Sequence, residues 1–458
     1  MLNFNIKNLN FQSKIHMIGV GGISMSALAR ILLSMSHSIS GSDSTESELT
    51  KSLQSDGITV AIGHSSDNIK SPDLVVFTAA IDEDNPELVA ARALGVPVIE
   101  RSVLLGEIMT LYKYPVNVAG THGKTTTTSM FSLILLDANV EPTILVGGEL
   151  SNINGNLKIG KQDYLVCEAC EYVDSFLQFK PFLSIINNIE EDHMDYFENL
   201  EQIISSFAKF ANLTSPNGTV IANFDDENVR ACIECVNVPV VTFGIENDNA
   251  DFSAKNIKFA NFDCSFDVYR DNEFYTGIEL NVTGEHNIYN ALAAISASAV
   301  LDIPSKAIKS GLAKFRGTKR RFELIGKTTN GATVVDDYAH HPTEIRTTLN
   351  AAKNMNFNKV WCIFQPHTYT RTDAFLDEFA EALSIADNVI LLDIYAAREI
   401  NHSGVSSKIL AGKIPNGVYV ETFENAGKYV SDKANKNDLI LTMGAGDVWK
   451  VHNFITKL

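Results

Sequence analysis

The run Val116-Asn117-Val118-Ala119-Gly120-Thr121-His122-Gly123-Lys124-Thr125-Thr126 has the residue types that bind the phosphates of a nucleoside triphosphate. An apolar, strand-like stretch breaks at Gly120. Gly123-Lys124-Thr125 then leads into a helix-like run, Ser129 to Leu136. That order aims backbone amides and a helix N-terminus at an anion, with a lysine for the β- and γ-phosphates and a hydroxyl for Mg²⁺. Val118 stands where the strict phosphate-loop motif has glycine, which leaves the shorter Gly-x-x-Gly-Lys-Thr. ATP is the expected ligand, held by Gly120, Thr121, His122, Gly123, Lys124, Thr125 and Thr126.

Other polar groups fall where apolar runs stop, which is where open α/β sheets place their ligands. Glu168 follows Tyr164-Leu165-Val166-Cys167, and His193 follows Leu183 to Asn188 in Ile189-Glu190-Glu191-Asp192-His193-Met194-Asp195. A glutamate and a histidine beside an ATP loop suit Mg²⁺, although histidine is a softer ligand than that ion usually takes. Asp192 and Asp195 are also candidate caps for the helix that follows. Asp336-Asp337-Tyr338-Ala339-His340-His341 and Gln365-Pro366-His367-Thr368-Tyr369-Thr370-Arg371 are denser in reactive side chains than a surface loop needs. Near the N-terminus Gly19, Gly21 and Gly22 form a glycine turn after Ile15 to Ile18. Ser42 and Asp43 end the next expected strand, the place that meets a ribose in a Rossmann unit. A dinucleotide or a nucleotide-diphosphate group fits there.

The elements that must position these groups alternate short β-branched runs with helical stretches, the pattern of parallel-sheet α/β domains. The chain has 458 residues, too many for one core. Three domains are expected: a Rossmann-like domain over 1–106, a central ATP-binding α/β domain of phosphate-loop type over 107–315, and a C-terminal Rossmann-like α/β domain over 316–458. The segment from Phe315 to Glu323 reads as the linker before the third.

The net charge of −18 argues against a general nucleic-acid or membrane-surface binder, because both need a basic face. Met1 to Gln12 carry no signal-peptide core and no apolar run is long enough to span a bilayer, so a cytoplasmic protein without membrane insertion is expected. Four of the six cysteines form two C-x-x-C pairs, Cys167/Cys170 and Cys232/Cys235. They lie much further apart than the ~15–20-residue gap of a zinc ribbon, so free thiols are expected.

Taken in order, Gly120-Thr121-His122-Gly123-Lys124-Thr125-Thr126-Thr127, Gly284-Glu285-His286-Asn287-x-x-Asn290, Arg320-Arg321-Phe322-Glu323 and Asp336-Asp337-Tyr338-Ala339-His340-His341-Pro342-Thr343-Glu344 resemble the Mur ligase family across essentially the whole chain. The resemblance implies an ATP-dependent amide ligase that joins L-alanine to the lactyl carboxylate of UDP-N-acetylmuramate, with Mg²⁺, acting as a monomer or weak dimer. It assigns Gly19, Gly21, Gly22, Ser42, Asp43 and His64 to the UDP-sugar, with His64 beside the uracil. It gives Lys124 to the phosphates, Thr125 and Glu168 to one Mg²⁺, and His193 with Glu168 to a second. Asn287 and Asn290 would meet adenine. Arg321 and Asp337 would reach ATP, and His367 and Arg371 would seat the alanine; Tyr338, between Asp337 and the His340-His341 pair, is expected with His340 to close the pocket around its methyl.

Two positions depart from relatives: Ala208 stands where several carry a carbamylated lysine, with Lys209 out of register, and Thr368 stands where some carry arginine. A tripeptide-recycling ligase of the same family is the nearest alternative, although its glycine turn is closer to Gly-x-Cys-Gly-Thr. A nicotinamide-dependent redox protein is the alternative from another class.

Overall fold

A computed structural model describes residues 4–194, 196–260, 262–397 and 399–455. The chain packs into two compact units, one formed by 1–253, 270–272 and 291–311, the other by 254–269, 273–290 and 312–458.

In the first unit, Lys14–Ile18 is the central strand of a five-stranded sheet. Ser38–Asp43 and Leu74–Phe77 flank it in parallel, and Thr59–Ile62 and Val98–Glu100 form the edges. Four of the five residues of Lys14–Ile18 are buried, as a strand covered on both faces requires. Chain order reverses at this strand, so the carboxyl ends of Lys14–Ile18 and its neighbours frame a crevice at the topological switch point.

The second sheet of this unit is built around Tyr114–Ala119, which pairs in parallel with Tyr164–Glu168 on one side and Leu183–Ile186 on the other. Thr219–Asn223 and Val240–Gly244 extend it past Leu183–Ile186. Thr143–Leu150 extends it past Tyr164–Glu168, and Gly155–Lys158 closes that edge in antiparallel sense. Helix Lys124–Asp137 follows the central strand, and all of Thr125 to Leu135 is buried. Between Thr125 and Leu135 its residues are apolar or small hydroxyl-bearing on every side, as befits a stretch with no solvent face. Ser129 and Ser132 satisfy their buried hydroxyls by donating to the carbonyls of Thr125 and Thr128.

In the second unit a six-stranded sheet runs Glu323–Lys327, Thr333–Asp337, Leu439–Met443, Val360–Phe364, Asn388–Leu391, Gly417–Tyr419. All its pairs are parallel except the first. The expected linker residues Arg320 and Phe322 adopt left-handed φ angles of 60° and 50°, immediately before the edge strand. The same unit holds most of the strands Phe252–Ala260, Asp263–Arg270 and Glu273–Leu280, which lie side by side, and the start of helix Glu285–Val300. The architecture is α/β with parallel sheets, as the alternation of runs predicts. The antiparallel strands are the part that the alternation does not show.

Candidate active site

The phosphate-type loop is built by three adjacent strand ends. Gly123 is the N-cap of helix Lys124–Asp137, in the left-handed region at φ 80°, and makes no side-chain cap hydrogen bond. The amides of that turn therefore have no intrahelical partner and face an incoming anion. Asn188, just beyond Leu183–Ile186, holds the loop. Its carbonyl accepts from the Thr121 amide at 3.1 Å and its side-chain oxygen from the His122 amide at 2.7 Å. The Thr121 hydroxyl accepts from the Glu190 amide at 2.9 Å. Along the sequence Asn188 only ends an apolar run; its role comes from parallel pairing of that run with the loop strand.

Lys124 Nζ donates to the carbonyls of Gly120 and Thr121, the latter at 3.1 Å, and lies 3.1 Å from a carboxylate oxygen of Glu171. Burial works against the ammonium, but Glu171 outweighs it and holds the Lys124 pKa above its ordinary value. Glu171 is only 2% exposed and also lies 4.0 Å from His193 Nε2. Glu168, the carboxylate expected beside His193, accepts the Gly147 amide at 2.6 Å. Glu171 is thus an acidic residue of the site that the sequence motifs do not single out. It stands one helical-type step past Glu168, and nothing in its spacing separates it from a solvated surface glutamate.

His193 has a left-handed φ of 55° and packs its ring against Tyr172, centroids 4.7 Å apart. Asp192 accepts the His193 amide, while Asn199 caps helix Leu200–Ala211, so the expected capping by Asp192 is corrected. Asp195 lies outside the described residues. On the same helix Ala208 is buried and Lys209 is exposed. Cys167 is buried and accepts from Asn117 Nδ2 at 2.9 Å, and all six cysteines are free thiols.

At the first glycine turn a side chain on Gly21 would place its Cβ 2.7 Å from Asp43 Oδ2, the atom that accepts the Gly21 amide at 2.9 Å. The Asp43 carboxylate therefore ties the turn to the end of Ser38–Asp43. Ser42 is fully buried and donates to Glu87 at 2.6 Å. Glu87, itself fully buried, also receives Asn68 Nδ2, the Ser65 amide at 3.2 Å and His16 Nε2 at 3.3 Å.

Burial alone would raise the Glu87 pKa, yet the hydrogen bonds from His16, Asn68 and Ser42 prevail and bring it down to about 2. A depressed carboxyl stabilises the fold above its ordinary pKa and loses that contribution as pH falls toward the depressed value. Here it is worth about 3 kcal/mol at neutral pH. Urea unfolding of Glu87→Gln against the parent chain is expected to show a stability gap that narrows as pH drops from about 6 to about 3. A gap independent of pH would contradict an ionised Glu87.

In the second unit both Asp337 oxygens are engaged: one takes the Phe322 amide at 2.7 Å, the other the Ala339 amide at 2.8 Å. Burial pushes its carboxyl upward against the pull of Arg321 and these amides. The guanidinium groups of Arg320 and Arg321 lie over the Tyr338 ring, 4.9 and 5.0 Å from its centroid. His340 packs edge-on against Tyr338 at 5.4 Å, and His367 lies 6.0 Å beyond His340. Burial, with His340 and Arg371 close by, lowers His367 to about 4, so its ring is neutral at pH 7. Arg371 is half-buried on helix Tyr369–Ala374. Asn287 and Asn290 are both 6% exposed; Asn287 Nδ2 donates to the Thr283 carbonyl at 2.6 Å, and Asn290 Nδ2 to Asn287 Oδ1 at 3.5 Å.

Three family profiles match in succession: "Mur ligase family, catalytic domain" over 14–113, "Mur ligase middle domain" over 118–298, and "Mur ligase, glutamate ligase domain" over 320–446. The chain belongs to the Mur ligase family. A UDP-N-acetylmuramate–L-alanine ligase of Acetivibrio thermocellus is 50% identical over 462 residues, covering 100% of this chain and 98% of the relative. The crystal structure of a UDP-N-acetylmuramate–alanine ligase from Thermotoga maritima superposes with a TM-score of 0.80 at 32% identity, covering 96% of this chain and 98% of that one. A murein peptide ligase from Psychrobacter arcticus reaches a TM-score of 0.70 at 25% identity, covering 96% and 97%. The chain is thus nearer in sequence to the Acetivibrio thermocellus alanine ligase than to this murein peptide ligase. Membership also removes the nicotinamide-dependent alternative. No described helix is long and apolar enough to cross a membrane.

Proposed function

We propose that this chain is an ATP-dependent UDP-N-acetylmuramate–L-alanine ligase of peptidoglycan precursor synthesis, and that the residues assembled above are its working parts. The observation that carries the activity is 50% identity to an alanine-adding ligase over the whole chain. Domain 1–106 holds the UDP-sugar at Gly19, Gly21, Gly22, Ser42, Asp43 and His64. Domain 107–315 holds ATP, and domain 316–458 supplies the remaining contacts, with Arg321 and Asp337 for ATP and Tyr338, His340, His367 and Arg371 for alanine. Asn287 and Asn290 meet the adenine. A cytoplasmic monomer or weak dimer is part of this reading.

A carboxylate is a poor electrophile, so the lactyl carboxylate first attacks the γ-phosphorus of ATP and ADP leaves. The alanine amine then attacks the acyl phosphate, and a tetrahedral adduct collapses to amide and phosphate. The amine must arrive neutral, and its proton leaves to solvent or to phosphate. No protein nucleophile is required. Lys124 and the first-turn amides hold charge on the transferred phosphoryl group and offset repulsion between two anions.

Two carboxylates and a hydroxyl beside that loop, Glu168, Glu171 and Thr125, are a hard oxygen donor set that fits Mg²⁺, with His193 a softer addition. When bound, the ion supplies charge neutralisation at the phosphates. Glu171, 4.0 Å from His193 Nε2, is added to Glu168 in this donor set. Phosphate release measured with UDP-N-acetylmuramate, ATP and L-alanine tests the function, each omitted in turn. Release that persists without L-alanine, or demands a preformed peptide in its place, overturns it.

Tyr338 is expected to wall the alanine methyl. Its ring is clamped by two guanidinium groups and His340, so it presents a fixed surface. A rigid wall rejects larger side chains by overlap but excludes glycine weakly, since one methyl is worth ~1–3 kcal/mol. Tyr338→Ala is expected to raise kcat/KM for serine and valine relative to alanine by roughly tenfold or more. Because Arg321 rests on the same ring, ATP binding should also weaken, by at most about tenfold. Kinetics with alanine, glycine, serine and valine read the result; equal loss toward all four removes Tyr338 as the selectivity wall.

A further inference from the structure

Glu87 takes no part in the chemistry proposed above, yet it is the most completely satisfied buried carboxylate of the first domain. One oxygen receives Asn68 Nδ2 at 2.5 Å and the Ser65 amide at 3.2 Å. The other receives the Ser42 hydroxyl at 2.6 Å and His16 Nε2 at 3.3 Å. Asn68 Nδ2 also reaches the Gly63 carbonyl at 3.1 Å, so Glu87 pins the loop Gly63-His64-Ser65 on either side of His64.

The proton count decides what this does. An ionised carboxylate only accepts, and a serine hydroxyl has one proton. With that proton given to Glu87, Ser42 Oγ meets His64 Nδ1 at 3.2 Å with a lone pair. His64 Nδ1 must then carry the hydrogen, and in a neutral imidazole Nε2 is bare. The His64 side chain is 19% exposed, and among the described residues its Nε2 has no hydrogen-bond partner.

We propose that Glu87 is a positioning residue for the sugar-nucleotide site: through Ser42 it fixes His64 as the Nδ1–H tautomer and offers the Nε2 lone pair to an N–H of the base. The imide N–H of uracil is such a donor. Cytosine has an unprotonated acceptor at that ring position, so the same device selects uridine over cytidine nucleotides. The proposal rests on reading the first domain as the UDP-sugar site, and it differs from simple stacking of His64 on the base, which is indifferent to the tautomer.

The test has two independent arms. Long-range ¹H–¹⁵N correlation spectra of the full chain at pH 8 report which His64 nitrogen is protonated, with no ligand present. The parent chain is expected to show Nδ1–H with bare Nε2. Ser42→Ala removes the 3.2 Å acceptor, leaving only Glu87 Oε2 at 3.7 Å, beyond hydrogen-bond distance, and is expected to shift the ring toward Nε2–H. Glu87→Gln removes the reason for the serine proton to point away and should shift it in the same direction. In the second arm UDP and CDP compete for the free protein. The parent prefers UDP, and both variants lose roughly ten- to hundredfold of that preference. In Glu87→Gln the KM for UDP-N-acetylmuramate rises by a similar factor, with kcat at saturation within about twofold.

His64 protonated at Nε2 or at both nitrogens in the parent, or variants with unchanged tautomer and unchanged UDP/CDP ratio, overturns the proposal. A parent chain that binds neither nucleotide overturns the reading of the domain instead. Ser42→Ala keeps the test open if Glu87→Gln fails to fold.

Discussion

Lys124→Ala is expected to lower kcat/KM for ligation by at least about a thousandfold, or about 4 kcal/mol of transition-state stabilisation. The ammonium already converges with the loop carbonyls of Gly120 and Thr121 and with Glu171, so it is positioned before any phosphate arrives. Preorganised charge of this kind needs no reorganisation when the γ-phosphoryl group develops its charge. UDP-sugar affinity should change by less than about twofold, because the glycine turn belongs to the separate five-stranded sheet and additivity holds for sites without shared partners. Isothermal titration with the sugar nucleotide and steady-state phosphate release give the two readouts. Ligation kept within about tenfold, a loss below ~1.4 kcal/mol, is too small for a phosphate-holding lysine and would remove it from that role.

Glu171→Ala should be costly in a different way. It leaves the buried Lys124 ammonium without its carboxylate, and breaking such a pair from one side typically costs ~3–5 kcal/mol. Thermal and urea unfolding should show that loss in Glu171→Ala and recover much of it in the Lys124→Ala/Glu171→Ala double variant, since the uncompensated charge is then gone. Simple additivity of the two single losses would mean that the contact is not a coupled pair. Activity provides a second view. Glu171→Gln, the gentler change, should raise the Mg²⁺ concentration needed for half-maximal rate, as should Glu168→Ala and His193→Ala. Paired variants of these three should fall well short of additive if they serve one metal cluster. Independent effects with unchanged metal dependence separate them.

Much of the site was legible because its determinants are local. A strand, a glycine break and Gly123-Lys124-Thr125 are contiguous, so the loop and the helix after it follow from propensity and from the anion chemistry of a helix start. The parallel α/β character was legible for the same reason: fully buried strands must be continuous apolar runs, as Val360–Phe364 is. Asp337, Tyr338 and His340 stood out because reactive residues crowd one strand end. Family resemblance across the whole chain added what spacing does not contain, namely the ligand to expect at each domain.

The rest depended on groups distant in sequence meeting in space. Glu171 became a partner of Lys124, 47 residues earlier, only when the strands ending at Ala119 and Glu168 paired side by side. Asn188 took hold of His122 across 66 residues by the pairing of Leu183–Ile186 with Tyr114–Ala119. Glu87 sits on helix Pro86–Ala93, where its sequence context is that of an ordinary first-turn acidic residue stabilised by the helix dipole. The fold buries it completely and surrounds it with His16, Ser42, Ser65 and Asn68. The sequence by itself therefore determined the α/β architecture, the phosphate loop and the polar strand ends, because each is a property of neighbours along the chain. Tertiary structure alone decided which carboxylate serves which cation and how the His64 proton is held, because charge and hydrogen-bond complementarity are properties of neighbours in space.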